Sequence, residues 1–465
     1  MTRARQNRAL PLCLAALMAL SGCLAPSATD PLGLNPGTRF AGQWGNRAPA
    51  PVLVSNAFWW RGLGDPVLDG LVTDALQDNL SLAASRARVE AAQAAVGTVS
   101  PLAGVTPSAD ATLSEDGVAR VGAAASFDWL LDPWGGQAAR LRAARARALA
   151  AGAEARAAEL LTLLSLGTAY VDLRHAEALR GLRLAEQGRR REALNLYRSL
   201  EQAGEATRLD IVRNRARIAE IDVALPGLAS DIAAARAQIA LLLGRSASEP
   251  LSLADRPQPL PRLAPDVGVP TDLLRNRPDI HAAELAYAAA VADIDTARAA
   301  LYPSLSLSGV IGYDVTDGRG AGRAVFGPSL RFPALPASGA RAEVRRRHAL
   351  ATEAHALWQQ TVLEAVAEVE TALAAYRAAH AARGAAERAV ALNREARTLT
   401  LDLVREGART LTDLIEVETS LAAAERQLVA ARRDAGRSFV ALNVRLGVGR
   451  GADASGQTAE ARPVR

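Results

Sequence analysis

One unit is written twice in this chain. Gly204-Glu205-Ala206-Thr207-Arg208-Leu209-Asp210 recurs 203 positions later as Gly407-Ala408-Arg409-Thr410-Leu411-Thr412-Asp413. Gly244 behind Leu241-Leu242-Leu243 and Gly447 behind Arg445-Leu446 stand at the same offset, as do Gly136 and Gly339. Pro101 and Pro303 match at 202. A period near 200 is too long for a solenoid repeat, so the duplication is one of domain halves. Any fold for this chain must place two similar long units side by side.

Each half follows the same plan. A helical run comes first, roughly Pro66 to Ser100 and Thr271 to Ala300. Two short strands follow. Between Ser304 and Val315, Leu305, Leu307, Ile311, Tyr313 and Val315 fall on one face, and Ser304, Ser306, Ser308, Gly312 and Asp314 on the other. This is the apolar-out, polar-in alternation of a membrane barrel strand. Its partner is Arg323 to Phe332, and the first-half equivalents are Pro107 to Ser114 and Val118 to Leu130. Next come Gln137 to Gln202 and Ala340 to Glu406, both free of Pro. Helices of that length reach about 100 Å. Each turns at a glycine and runs back, Leu209 to Leu243 and Leu411 to Leu446. Gly204 and Gly407 are candidate C-caps, Thr207 and Thr410 candidate N-caps, and Pro226 interrupts the first returning helix. Long antiparallel helices with small residues at their seams have no globular core of their own and predict coiled-coil packing in an oligomer.

The N-terminus predicts export. Arg3, Arg5 and Arg8 precede the apolar run Ala9 to Leu20, which is too short to span a bilayer. The run ends in Leu20-Ser21-Gly22-Cys23, the pattern of a bacterial lipobox, with Cys23 as the lipid-modified first residue. The other cysteine, Cys13, lies inside the signal, so the mature chain has no thiol for a disulfide. Leu24 follows Cys23, where an Asp would favour inner-membrane retention. The expected organisation is a signal peptide 1–22, a tether 23–63, repeats at 64–248 and 271–449 around a linker 249–270, and a disordered tail 450–465.

Several functions are excluded by what is present. All 54 basic residues are Arg, interspersed with acidic ones, which reads as solvated helix faces and not as a nucleic-acid stripe. The five histidines, His175, His281, His348, His355 and His380, form no ligand spacing. There is no phosphate loop, dinucleotide turn or nucleophile elbow. Neither an enzyme nor a cofactor is expected.

Four strands cannot close a membrane barrel alone, since single-chain barrels start at 8 strands, whereas a trimer supplies 12. The repeat, strands, hairpins and lipobox together resemble the TolC family, and within it the lipidated outer-membrane factors of the OprM and NodT type. The resemblance runs from about Trp59 to Gly449. It rests on Arg277-Pro278-Asp279-Ile280 opening the second half, on Ala297 to Ser304 leading into the third strand, and on Phe127 to Gly135 after the second. Pro133 before Trp134 departs from the family pattern, and the loop Glu115 to Gly117 is short.

The resemblance implies a homotrimer: a 12-stranded transmembrane β-barrel in the outer membrane, mainly α overall, continued by a periplasmic α-helical barrel. It implies passive export of drugs, metabolites or ions passed on by a periplasmic adaptor and an inner-membrane pump of the resistance-nodulation-division (RND) type. It places the entrance at the hairpin tips and assigns a gate to Asp210, Arg409, Asp413 and Glu416. Asp413 and Glu416 share a helix face, and threefold symmetry makes each a ring that favours cations. Val404 stands where the family's aromatic gate partner would be. The competing expectation is a coiled-coil spacer lipoprotein with no pore, which would need no lipid-facing strands.

Overall fold

The computed structural model describes residues 58–99, 104–114, 119–202, 204, 207–249, 251–261, 276–316, 318–333 and 336–447. All lie within the unit Arg39–Arg465. The signal, Cys23 and the tail 450–465 lie outside the described residues.

A 3-10 turn at Trp59–Leu63 leads into α1 (Pro66–Asp78) and α2 (Leu80–Thr98). Then come β1 (Gly104–Leu113), β2 (Ala119–Leu131), α3 (Gly136–Gln202) and α4 (Arg208–Leu242). The second half holds α5 (Pro278–Ala299), β3 (Ser304–Thr316), β4 (Arg319–Arg331), α6 (Ser338–Arg405) and α7 (Leu411–Arg445). The helical run expected from Pro66 is broken at Asn79. Its extended backbone ends α1, and its side-chain oxygen accepts from Leu82 N at 3.1 Å to start α2.

The duplication extends to contacts. Asn79 Nδ2 donates to the Leu242 carbonyl at the end of α4, at 2.9 Å. At the matching place Arg277 Nη1 donates to the Arg445 carbonyl at the end of α7, at 3.2 Å. Gly244 and Gly447, both at positive φ, lie so close to the Asp78 and Asn276 carbonyls that a Cβ would stand 2.6 and 2.8 Å away. In each half the returning helix is thus seated on the start of a shorter one.

The core lies part-way along the long helices. Leu166, Tyr170 and Leu173 of α3, Val362, Val369 and Leu373 of α6 and Val440 and Leu442 of α7 are fully enclosed. Trp59 and Trp60, at the end of the segment expected to be a tether, are buried there too. α3 and α7 approach closely because each offers a glycine to the other's valine: Gly167 faces Val440 and Gly436 faces Val171. A buried relay fixes the entry to α1. Tyr170 donates its hydroxyl to Asp65, the α1 N-cap, at 2.5 Å, and receives Arg174 Nε at 3.0 Å.

The four strands form one antiparallel sheet in the order β1-β2-β3-β4, and the β2–β3 ladder joins the two halves. β1 begins at Gly104, ahead of the expected Pro107, and β4 at Arg319, ahead of the expected Arg323. The early start of β4 spans Gly320 and Gly322, which take part in the ladder opposite Val315 and Tyr313.

Candidate functional site

The sheet is two-faced in every strand. Directly paired residues share a face, and the pairing registers Val105, Phe127, Gly309 and Phe326 in one row and Pro107, Ala125, Ile311 and Ala324 in the next. Continuing the alternation gives a face of Val, Leu, Ile, Phe, Trp, Tyr, Pro, Ala and Gly alone, with Val121, Ile311, Phe326 and Leu330 more than half exposed. Tyr313 lies over Gly320 and Phe326 over Gly309, so bare glycine backbone on this face is covered by rings. From Leu305 to Val315 the face runs about 34 Å along the strand. At a tilt of about 40° that matches the roughly 25 Å apolar band of a membrane barrel.

The opposite face carries Thr106, Ser108, Asp110, Arg120, Ser126, Asp128, Ser304, Ser306, Ser308, Asp314, Arg319, Arg323 and Arg331, with Leu130, Val310 and Val325 as its larger apolar members among Ala and Gly. Gly122 leaves room for two carboxylates on this face. A Cβ there would stand 2.7 Å from Asp314 Oδ1 and 3.0 Å from Asp110 Oδ1. Arg323 Nε lies 3.5 Å from Asp314. This face suits water, and the other suits hydrocarbon.

At the far ends of α3 and α6 the chain makes two equivalent tips. Gly204 and Gly407 adopt φ of 81° and 73° and end the outgoing helices. A capping box starts each returning helix. Thr207 N and Oγ1 donate to Asp210 Oδ2 at 3.1 and 2.6 Å, while Asp210 N donates to Thr207 Oγ1. Thr410 N and Oγ1 donate to Asp413 Oδ2 at 2.9 and 3.0 Å. The bonds from Thr410, with the nearby Arg409 charge, hold the Asp413 carboxyl below the usual range.

Two of the four expected gate residues, Asp210 and Asp413, are thus the third-position partners in the capping boxes of their own helices. Asp210 is buried at the first tip. Arg409 is exposed in the second turn, its backbone N donating to the Leu403 carbonyl at 3.2 Å. Glu416 is exposed one turn beyond Asp413. The structure brings Arg409 and Asp413 together and keeps Asp210 on the other hairpin. A small apolar cluster of Leu194, Tyr197 and Ile211 with Ile415 brings the two hairpins into contact.

Above that cluster lies a polar node that sequence reasoning missed. Glu186 of α3, almost fully buried, has Arg183 and Arg190 at 3.3 Å and Arg426 of α7 at 3.5 Å. Arg190 also reaches Thr419 Oγ1 at 3.4 Å, and Asn214 Nδ2 donates to its carbonyl at 2.8 Å. Arg189 of α3 and Arg394 of α6 share Glu425 of α7 at 3.3 and 3.1 Å. Burial first, then the Glu418 charge, pushes the Tyr197 hydroxyl up to about 12. The signal was available in the spacing: Glu186, Arg190, Leu194 and Tyr197 form one helical stripe, so charges stand where a coiled-coil seam wants apolar residues.

Among the described residues no helix is long and apolar enough to cross a membrane, and no group of three or more His, Asp or Glu side chains could hold a metal ion. A two-faced sheet at one end of a helical pair some 100 Å long, with two turned and capped tips at the other, is the arrangement of a conduit wall. The family model for outer membrane efflux proteins matches twice in succession, over residues 71–245 and 269–448. The chain belongs to the outer membrane efflux protein family. It is 31% identical over 415 residues to Nodulation protein T of Rhizobium leguminosarum bv. trifolii, covering 85% of this chain and 88% of that protein. It is 30% identical to the pyoverdine export outer membrane protein OpmQ of Pseudomonas aeruginosa, covering 95% and 98%. The outer-membrane channel OprN superposes with a TM-score of 0.79 at 29% identity, covering 89% of this chain and 98% of that one.

This family membership makes the four strands one third of a 12-stranded barrel in a trimer, and the long helices the wall of a barrel that reaches into the periplasm. The chain is an outer-membrane efflux channel that conducts passively and is not an enzyme. A poreless spacer would have no use for the lipid-facing strands.

Proposed function

We propose that this channel is the lipid-anchored exit duct of a tripartite pump, with Cys23 acylated, a periplasmic adaptor on the hairpins and an RND-type pump in the inner membrane. The observation that supports this most is the pair of tips: each ends in a glycine turn and a capping box, and Arg409, Asp413 and Glu416 crowd the second. In a trimer these three form rings around the entrance. Asp210 holds the first tip in shape by capping α4, and Arg409 beside Asp413 supplies the charge that closes the mouth. The lumenal face of the sheet mixes Ser, Thr, Ala and Gly with both Asp and Arg, a polar wall of both charges that favours no one cargo, so the pump makes the choice of substrate. Acylation of Cys23 is read directly from the mass of the mature protein.

The test is planar-bilayer conductance of the full-length trimer beside Arg409→Ala. A small wild-type conductance that rises in the variant supports a charged gate at the tips. Equal, substantial conductance keeps the channel and removes Arg409 from the gate. Silence from both, with insertion verified, overturns the duct.

A further inference from the structure

Directly below the sheet, the helices carry arginine clusters on two opposite surfaces. Asp293 and Asp295 of α5 mark the two surfaces, because residues two apart on a helix point about 200° apart. On the Asp293 side the charges balance. Arg147 and Arg347 share Asp293 at 2.6 and 2.9 Å in a cleft that also holds Glu154. On the Asp295 side they do not. Arg142 and Arg298 lie 3.1 and 3.6 Å from Asp295, and Arg298 also reaches His348 Nε2 at 3.1 Å. Arg145 is one turn beyond Arg142 on α3, and Arg345 and Arg341 stand one and two turns before His348 on α6. Arg145, Arg341 and Arg345 are exposed and have no ion pair within one protomer among the described residues. Five arginines therefore meet one carboxylate.

We propose that this surface faces outward and binds the phosphates of anionic phospholipid headgroups in the periplasmic leaflet. The depth fits. Arg341 and Arg345 lie about 4.5 and 10 Å past the start of α6, and Arg142 and Arg145 about 9 and 14 Å past the start of α3. The headgroup layer extends about 5–8 Å beyond the hydrocarbon, and arginine stems reach back toward it. An aromatic pair marks the boundary: Trp134 stacks on Tyr302 at 4.7 Å and donates to the Pro303 carbonyl at 2.7 Å. Guanidinium groups match phosphate with two parallel hydrogen bonds, and three of these five have no competing partner of their own.

The experiment is native mass spectrometry of the detergent-solubilised trimer with equal amounts of phosphatidylglycerol and phosphatidylcholine. It compares the wild type with a triple variant, Arg145→Gln, Arg341→Gln and Arg345→Gln, and with Arg147→Gln from the balanced surface. The wild type and Arg147→Gln should retain phosphatidylglycerol over phosphatidylcholine by about tenfold or more. The triple variant should remain trimeric and lose that preference. Equal retention of the two lipids by the wild type overturns the proposal, as does an unchanged preference in the triple variant. A shift in the channel's reversal potential with unchanged lipid retention also overturns it, because these arginines would then line the lumen.

Discussion

Gly167 decides how closely α3 and α7 approach, because a Cβ there would stand 2.9 Å from Val440 Cγ1. Gly167→Val should lower the stability of the assembled protein by about 1–3 kcal/mol, the usual cost of overpacking. Gly181, on the same helix, has nothing within 4 Å of its would-be Cβ. Gly181→Ala should therefore move the urea midpoint the other way, by up to about 1 kcal/mol through helix propensity. If both variants shift the midpoint in the same direction, the close seam is not what Gly167 serves. At the tip, Asp413 is held below its ordinary range by Thr410, so its cap is fully formed above about pH 4 and is lost only as pH falls through the lower, folded-state value. The difference in conductance between the wild type and Asp413→Asn should thus stay constant from pH 7 to pH 5. Convergence of the two by pH 5 would show that the carboxylate titrates there after all. These residues differ in how readily sequence reveals them. Thr207 and Thr410 announce themselves as N-caps at matching places in the repeat, whereas Asp210 and Asp413, expected as gate residues, prove to complete the capping boxes. The glycine-valine seam does not announce itself, since nothing local tells which of many helical glycines will meet another helix.

The strands were legible where the alternation is strong and obscure where the apolar face is built of small residues. β3 follows its period from Ser304 onward and stood out at once. The glycines that open β4 gave no period, because their apolar cover comes from Tyr313 on the neighbouring strand. β1 and β2 are faint because Ala109, Ala111, Ala123 and Ala125 fill positions that β3 gives to larger side chains. The two-faced sheet makes a prediction of its own. Ile311 lies near the middle of the apolar band, and Val310 beside it points to the polar face. Ile311→Arg should cost about 2–4 kcal/mol, the penalty for a charge on the lipid face near the bilayer midplane. It should reduce trimer yield in membranes, while Val310→Arg assembles normally and alters conductance. Comparable yields for the two variants would mean that the face assignment is wrong. The long helices were the easiest elements to read, since absence of Pro over sixty or more residues has few other meanings. The break at Asn79 was not apparent, because Asn caps a helix in one context and sits inside it in another.

Across the whole molecule, the contact between the two hairpins changes character along its length. Near the core it is apolar and tight, with Gly167 against Val440 and Gly436 against Val171. Further toward the tip it turns polar, with the Glu186 carboxylate buried among Arg183, Arg190 and Arg426, before it ends in the small apolar cluster at Leu194, Tyr197, Ile211 and Ile415. The long apolar stretch resists separation in the middle, whereas the charged groups of the node can exchange each other for water, which leaves only the small cluster of Leu194, Tyr197, Ile211 and Ile415 holding the ends together. Removing the Glu186 charge leaves three arginines facing one another, and breaking a buried pair in this way costs about 3–5 kcal/mol locally. Glu186→Gln should therefore leave the trimer intact but favour separation of α7 from α3 near the entrance, raising single-channel conductance or open time several-fold. Glu220→Gln serves as the comparison: its partner Arg217 lies on the same helix and both are largely exposed, so its loss should change conductance little. If Glu186→Gln conducts like the wild type while Arg409→Ala opens the channel, the tip turns alone close the entrance and the node only holds the hairpins in register. If both variants open it, and the double variant opens it no further than either single one, node and tip act on the same movement of the second hairpin.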